Sequence, residues 1–102
     1  MSIRFVAEAE QDLEEAIAYY NVRRPGLGDE FAVAVAAGVE RISEAPRSWQ
    51  PLGPRTRRYR LVRFPYGLVY HVLDADILIV AVAHHSRSPD YWHGRLPGDE
   101  PA

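Results

Sequence analysis

Nine residues of this chain, Arg55 to Arg63, hold five arginines and no acid. Further on come His84-His85-Ser86-Arg87 and then Tyr91-Trp92. A guanidinium is always charged and presents a planar fork of donors that matches an oxyanion. A run of them without acids makes a local field suited to an anionic partner. Histidine, with an ordinary pKa of about 6.5, exchanges a proton near neutral pH. The set therefore points to binding of an anionic partner, or, with His85 as an acid–base group, to chemistry on one. Each cluster also has a plainer reading. The arginines can be a solvated edge that blocks strand-to-strand aggregation. Tyr91-Trp92 can close the open end of a core, stack on a base or touch a protein partner. His71 reads as a packed or edge histidine, and His84, His85 and His93 lack the carboxylates or helical spacing of a metal site.

The elements that must position these residues are legible in the spacing. Ile3-Arg4-Phe5-Val6 alternates and reads as an edge strand. Ala9, Leu13, Ala16, Ile17 and Tyr20 form one stripe of a helix, with Glu8, Glu10, Asp12, Glu14 and Glu15 in its early turns, the favoured sign for the helix dipole. Pro25-Gly26-Leu27-Gly28 breaks the chain. Asp29 is the expected N-cap of a second helix, with Phe31, Val35, Gly38, Val39 and Ile42 as its buried stripe and Pro46 as its stop. The pair reads as a helical hairpin whose acidic outer surface is a solvated face. Residues 47–54 read as a loop whose Trp49 and Leu52 plug the core. Next comes the arginine strand, with Arg58, Arg60, Val62 and Phe64 on one face and Arg57, Tyr59, Leu61 and Arg63 on the other, an edge strand lining a groove. Tyr66 to Leu73 and Ile77 to Ala83, parted by Asp74-Ala75-Asp76, read as a β-hairpin. The second of these runs is apolar on both faces, which makes it the expected centre of the sheet. The expectation is an α+β fold, an N-terminal strand and helical hairpin packed on one face of a small antiparallel sheet. Residues 1–93 form one domain and 94–102 a flexible tail.

Composition sets outer bounds. The chain has 102 residues, no cysteine, twelve basic residues that are all arginine, and a net charge of −2. Disulfides and thiolate metal sites are excluded. Nothing at the start has the basic-then-apolar pattern of a signal peptide, and no apolar run nears the roughly 18 residues of a membrane span, so a cytoplasmic protein with no membrane contact is expected.

The ordered set of sequence features resembles the RelE/ParE toxin superfamily. AEQDLEEAIAYYNVRRPGLGDEFA is similar to the start of that family, and RYRLVRFPYGLVYHVLDADILIVAVAHHSRSPDYW to its core. The resemblance runs over residues 3 to 92. It implies the toxin of a type II toxin–antitoxin pair, bound by a cognate antitoxin, with no cofactor, metal or small-molecule substrate. Members of the family divide by mechanism. RelE-like toxins cut mRNA in the ribosome. ParE-like toxins poison DNA gyrase and are not nucleases.

Cleavage by 2′-hydroxyl attack needs a base, cations on the phosphate and an acid for the leaving oxygen. The resemblance aligns Arg58 and Arg60 with two basic strand positions of the nucleases, Tyr91 with their catalytic tyrosine and Arg87 with an arginine before it. It also shows departures. Gly67 and His85 stand where those enzymes carry arginines, and Arg58 and Arg60 replace lysines, which unlike arginine can exchange a proton. The departures and the low net charge favour a ParE-like inhibitor that binds a macromolecule such as gyrase, with Arg57, Arg58, Arg60, Arg63 and Trp92 as its contacts. The alternative is a ribosome-dependent endoribonuclease with His85, Arg87 and Tyr91 as catalytic residues.

Overall fold

The computed structural model describes residues 2–95. In chain order the elements are β1 (Ser2–Phe5), α1 (Ala7–Arg23), α2 (Leu27–Glu44), β2 (Gln50–Pro51), β3 (Thr56–Arg60), β4 (Tyr66–Val72) and β5 (Asp76–His84), followed by a short 3-10 turn at Pro89–Trp92. The strands form one sheet in the order β1-β5-β4-β3-β2. The expected α+β class holds, and β1 is an edge strand as expected. It pairs parallel to β5 while all other pairs are antiparallel, so the sheet is mixed. A parallel pair needs a long crossover, and the whole chain between β1 and β5 serves as one.

Both helices cover the same face of the sheet. Phe31, Val35 and Ile42 of α2 and Ala9 and Ala16 of α1 share a core with Leu68, Tyr70, Val72, Ile77, Ile79 and Val82. A smaller cluster, Val69, Leu78, Val80, Ala81 and Trp92, lies on the other face. Tyr70 is fully buried, yet its hydroxyl donates to the Pro46 carbonyl at 2.6 Å and ties down the chain after α2. At the far end of the core, Phe31 packs on Phe64 and Tyr66, with ring centroids 5.1 and 4.9 Å away.

Several local expectations change. The helix break is shorter than expected, because α2 begins at Leu27 with Gly26 as its N-cap in the left-handed region, φ 91°. Asp29 is therefore in the first turn and not the cap. The capping oxygen comes from α1: Asn21 Oδ1 accepts from the Gly26 and Gly28 N–H groups at 3.1 and 2.8 Å. An orphan donor at a helix start costs free energy wherever its acceptor comes from. Asn21→Ala is expected to lower stability by about 1 kcal/mol, read as a shifted urea midpoint; an unchanged midpoint would remove this role.

The arginine strand stops at Arg60, earlier than expected, so its alternation does not run on to Phe64. A turn follows in which Leu61 and Phe64 both fold into the helix-side core while Val62 stays 95% exposed. Residues 47–54 include the short strand β2. Trp49 packs against Tyr59 as expected, centroids 4.8 Å apart, but Leu52 stays exposed and does not join the core. The middle strand of the five is β4, with β5 beside it. The register of that pair slips between Val69, opposite Ala81, and Tyr70, opposite Ile79, leaving Val80 as a bulge residue. Of the expected tail, Gly94 and Arg95 are placed, Arg95 in contact with Asp12; residues 96–102 lie outside the described residues.

Candidate functional site

The bulge decides which side chains meet. Before it, Ile77 and Ile79 face the helices; after it, Val82 does. Val80 and Ala81 both lie on the opposite face. The new phase carries His84 to the helix side, against Tyr66 at 5.1 Å between ring centroids. The strand ends there, and His85 follows, its N–H bonded to the Pro65 carbonyl at 2.9 Å. On this open face a cleft of about 350 Å³ is lined by Arg58, Val69, His85, Arg87, Tyr91 and Trp92, among others. His84 and Leu52 also reach its wall. The two ends of the stretch singled out in the sequence thus come together.

Arg58 is the cleft arginine held by a side-chain amide. Its Nε and Nη2 donate to Gln50 Oε1 at 3.3 and 2.9 Å. Its aliphatic stem lies over Gly67, where an added Cβ would meet Cδ at 3.0 Å and Cγ at 3.1 Å. Burial, then the charge of Arg60, pull its pKa below the usual arginine value. Neither Arg58 nor Arg60 pairs with a carboxylate among the described residues. His85 sits in their field. Burial first, and then Arg60, lower its pKa, against an opposing hydrogen bond to the Tyr66 backbone. The shift favours the neutral imidazole over the charged one.

Tyr91 is held differently. The guanidinium carbons of Arg87 and Arg95 lie 4.1 and 4.8 Å from its ring centroid. Burial, then the charge of Asp12, push its phenol up to about 12. Its hydroxyl turns to the Val82 carbonyl at 3.5 Å. Trp92 is 8% exposed and belongs to the small open-face core.

Three expected contact residues do not line the cleft: Arg60 is exposed at the end of β3, and two others lie farther off. Arg57 is on the helix face of β3, where Nη1 donates to the Trp49 carbonyl at 2.9 Å. Arg63 is in the turn after β3 and pairs with Glu30 at 2.8 Å, an ion pair that lowers the Glu30 pKa. Strand parity already separated Arg57 and Arg63 from Arg58 and Arg60.

Three residues of consequence were missed. Gln50 has no signal beyond proximity to a proline-bounded loop. Asp12 reads in sequence as one more acid of a solvated face, but it is only 16% exposed and pairs with Arg95 at 2.7 Å. Its Oδ2 also accepts from the Val82 N–H at 3.1 Å, and Arg95 donates to the Val80 carbonyl at 2.8 Å. Beyond the end of β1, side chains thus satisfy the margin of β5 that no strand covers. Burial, the largest influence on Arg95, works against its charge, but the hydrogen bond and charge of Asp12 outweigh it and raise its pKa. Among the described residues no group of three or more His, Cys, Asp or Glu side chains gathers to hold a metal ion, and no helix is long and apolar enough to cross a membrane.

None of the curated proteins matches the sequence significantly. Among solved structures the fold is similar to "Chromosomal ParDE TA system from P. aeruginosa", with a TM-score of 0.73 and 19% identity over 82% of this chain and 95% of that one. At that identity the likeness is one of fold. The sequence itself matches the family described as ParE toxin of type II toxin–antitoxin system, parDE, over residues 3–89. With most of its length inside that match, the chain belongs to the ParE toxin family and is a type II toxin of the ParE type.

Proposed function

We propose that this toxin inhibits growth in the bacterial cytoplasm by binding DNA gyrase through the Arg58 cleft, without cutting RNA, and that a cognate antitoxin neutralises it. The observation that carries the reading is the state of Tyr91. The residue aligned with the catalytic tyrosine of the nucleases is a neutral phenol with its pKa near 12, lying against two guanidiniums and turned to the backbone of β5. A general acid or base works best with a pKa near the operating pH, and this one is far from it. The arginines at the other aligned positions hold charge but do not exchange protons. What remains is a preformed cationic cleft, which suits binding better than proton transfer.

Arg58 and Arg87 are the proposed contacts in the cleft, with the exposed Arg60 next to it, Trp92 as the buried floor that supports it, and Arg57 and Arg63 in supporting roles outside it. The antitoxin is proposed to cover the same groove with an acidic segment and to extend over the exposed apolar side chains of α1, Tyr19 and Val22. The test is a gyrase supercoiling assay run beside a purified translation assay with mapped mRNA ends. Supercoiling should be lost with mRNA intact, Arg58→Glu should weaken inhibition at least about tenfold, as for truncating a desolvated charged contact, and Tyr91→Phe should leave it near wild type. Codon-specific cleavage that disappears in Tyr91→Phe or His85→Ala would overturn the proposal in favour of the nuclease.

A further inference from the structure

Arg58 differs from the other arginines of its strand in how it is held. Gln50, on the two-residue edge strand, places one amide oxygen against both Nε and Nη2. Gly67, diagonally across on β4, leaves the space in which the stem of Arg58 lies. Two features of the fold therefore fix the plane of one guanidinium. An amide does this without cancelling the charge, whereas a carboxylate would cancel it. Nη1 has no hydrogen-bond partner among the described residues, so one edge of the fork stays open on a residue that lines the cleft. A charged group held in place before its partner arrives loses less side-chain freedom on binding.

The surroundings indicate what that open edge receives. Val69, Ala83 and Leu52 give the cleft aliphatic walls. The large aromatic residues there are covered: Trp92 is buried, and Tyr91 lies against Arg87 and Arg95. Single-stranded nucleic acid is usually held by exposed rings on which bases stack, and duplex by broad positive potential. The cleft exposes no large aromatic ring, only the imidazoles of His85 and His93, and the chain as a whole is acidic. A carboxylate flanked by aliphatic side chains fits both the fork and the walls.

We infer that Gln50 is a positioning residue, which with Gly67 orients Arg58 to receive a carboxylate from an acidic segment of the protein target. The inference rests on the reading that this cleft engages gyrase, and it specifies the part of that target: protein, not DNA phosphate. The informative variant is Gln50→Glu, which keeps the length and geometry of the side chain but neutralises Arg58 in place. Affinity for purified gyrase without DNA should fall at least about tenfold in Gln50→Glu, a loss on the scale of one desolvated charge pair. In Gln50→Ala it should fall only a fewfold, and thermal stability should hold in both. Gln50→Asn, with a shorter amide, should restore part of what Gln50→Ala loses. The Arg58 Nε–H resonance, observed by NMR, should be sharp and slowly exchanging in the wild type and lose both properties in Gln50→Ala. Wild-type affinity in Gln50→Glu, or binding seen only when DNA is present, would overturn the inference while leaving gyrase as the target. If the wild type bound no gyrase at all, the target reading would fall and this carboxylate assignment with it. The Nε–H signal would then still decide whether Gln50 positions Arg58.

Discussion

Gly28→Ala is expected to lose at least about 3 kcal/mol of stability, the upper range for forcing atoms into a packed site. An added Cβ would fall 2.7 Å from Asn21 Cγ and too close to the Ile17 backbone carbonyl oxygen for any non-bonded pair. Backbone cannot swing aside as the end of a long side chain can, so the two helices must part. Parting them also withdraws Asn21 from the start of α2, where it accepts from Gly26 and Gly28, and loosens the contact of Tyr20 with Phe31, 5.3 Å between centroids. A domain of this size is stable by only about 5–15 kcal/mol. The melting temperature should therefore drop by more than about 12 °C, at 4 °C or more per kcal/mol. Gly53→Ala is the control, because a Cβ there meets nothing within 4 Å, and it should change stability by less than about 0.5 kcal/mol. A Gly28→Ala protein that melts within a few degrees of wild type would show that the helices have room to adjust.

Asp12→Ala is expected to cost about 2–4 kcal/mol, because it strands two donors in a place with little access to water. The Val82 N–H loses its acceptor, and Arg95 loses both carboxylate oxygens, at 2.7 and 3.3 Å. Both side chains of the pair are less than a fifth exposed, so solvent replaces little of what is lost. The double variant Asp12→Ala with Arg95→Ala should be less damaging than the sum of the two singles, with a coupling of about 1–3 kcal/mol. Amide exchange offers a local check, since Val82 should exchange much faster without Asp12. If the two changes add with no coupling, the ion pair contributes nothing beyond its separate contacts. Arg95→Lys should fail to rescue, because an ammonium does not have the flat fork that reaches Asp12 and the Val80 carbonyl together.

The sequence was informative where one residue's neighbours along the chain decide its environment. The stripes of α1 and α2, the edge position of β1 and the hairpin of β4 and β5 all follow from periodicity. The gathering of Arg58, His85, Arg87 and Tyr91 follows from strand length and order. Periodicity carried less far where a contact reaches across the fold. Asn21 caps a helix that it does not belong to, and Asp29, the better local candidate, is left in the first turn. Face assignment along β5 changes phase at Val80, because a bulge leaves no mark in an all-apolar run. Gly67 reads as a missing side chain until Arg58 is seen lying in the space. Arg95 looked like part of a polar tail, and only its position beside Asp12 shows why the margin of β5 can stop without a strand.

That fastening also has a consequence in time. β1 finds its partner only when residues 76–79 have been made, and Asp12 receives Arg95 across a separation of 83 residues. Non-local closures of this kind form late and slowly compared with helices and hairpins. During synthesis the helical hairpin can take shape first, but the sheet it covers comes from the second half of the chain. The cleft is assembled from Leu52 at one end and His93 at the other, so a nascent chain cut short before the last turn lacks part of its wall. The cleft is therefore whole only after residues 52–93 have all been made, and its fastening only after Arg95 has followed.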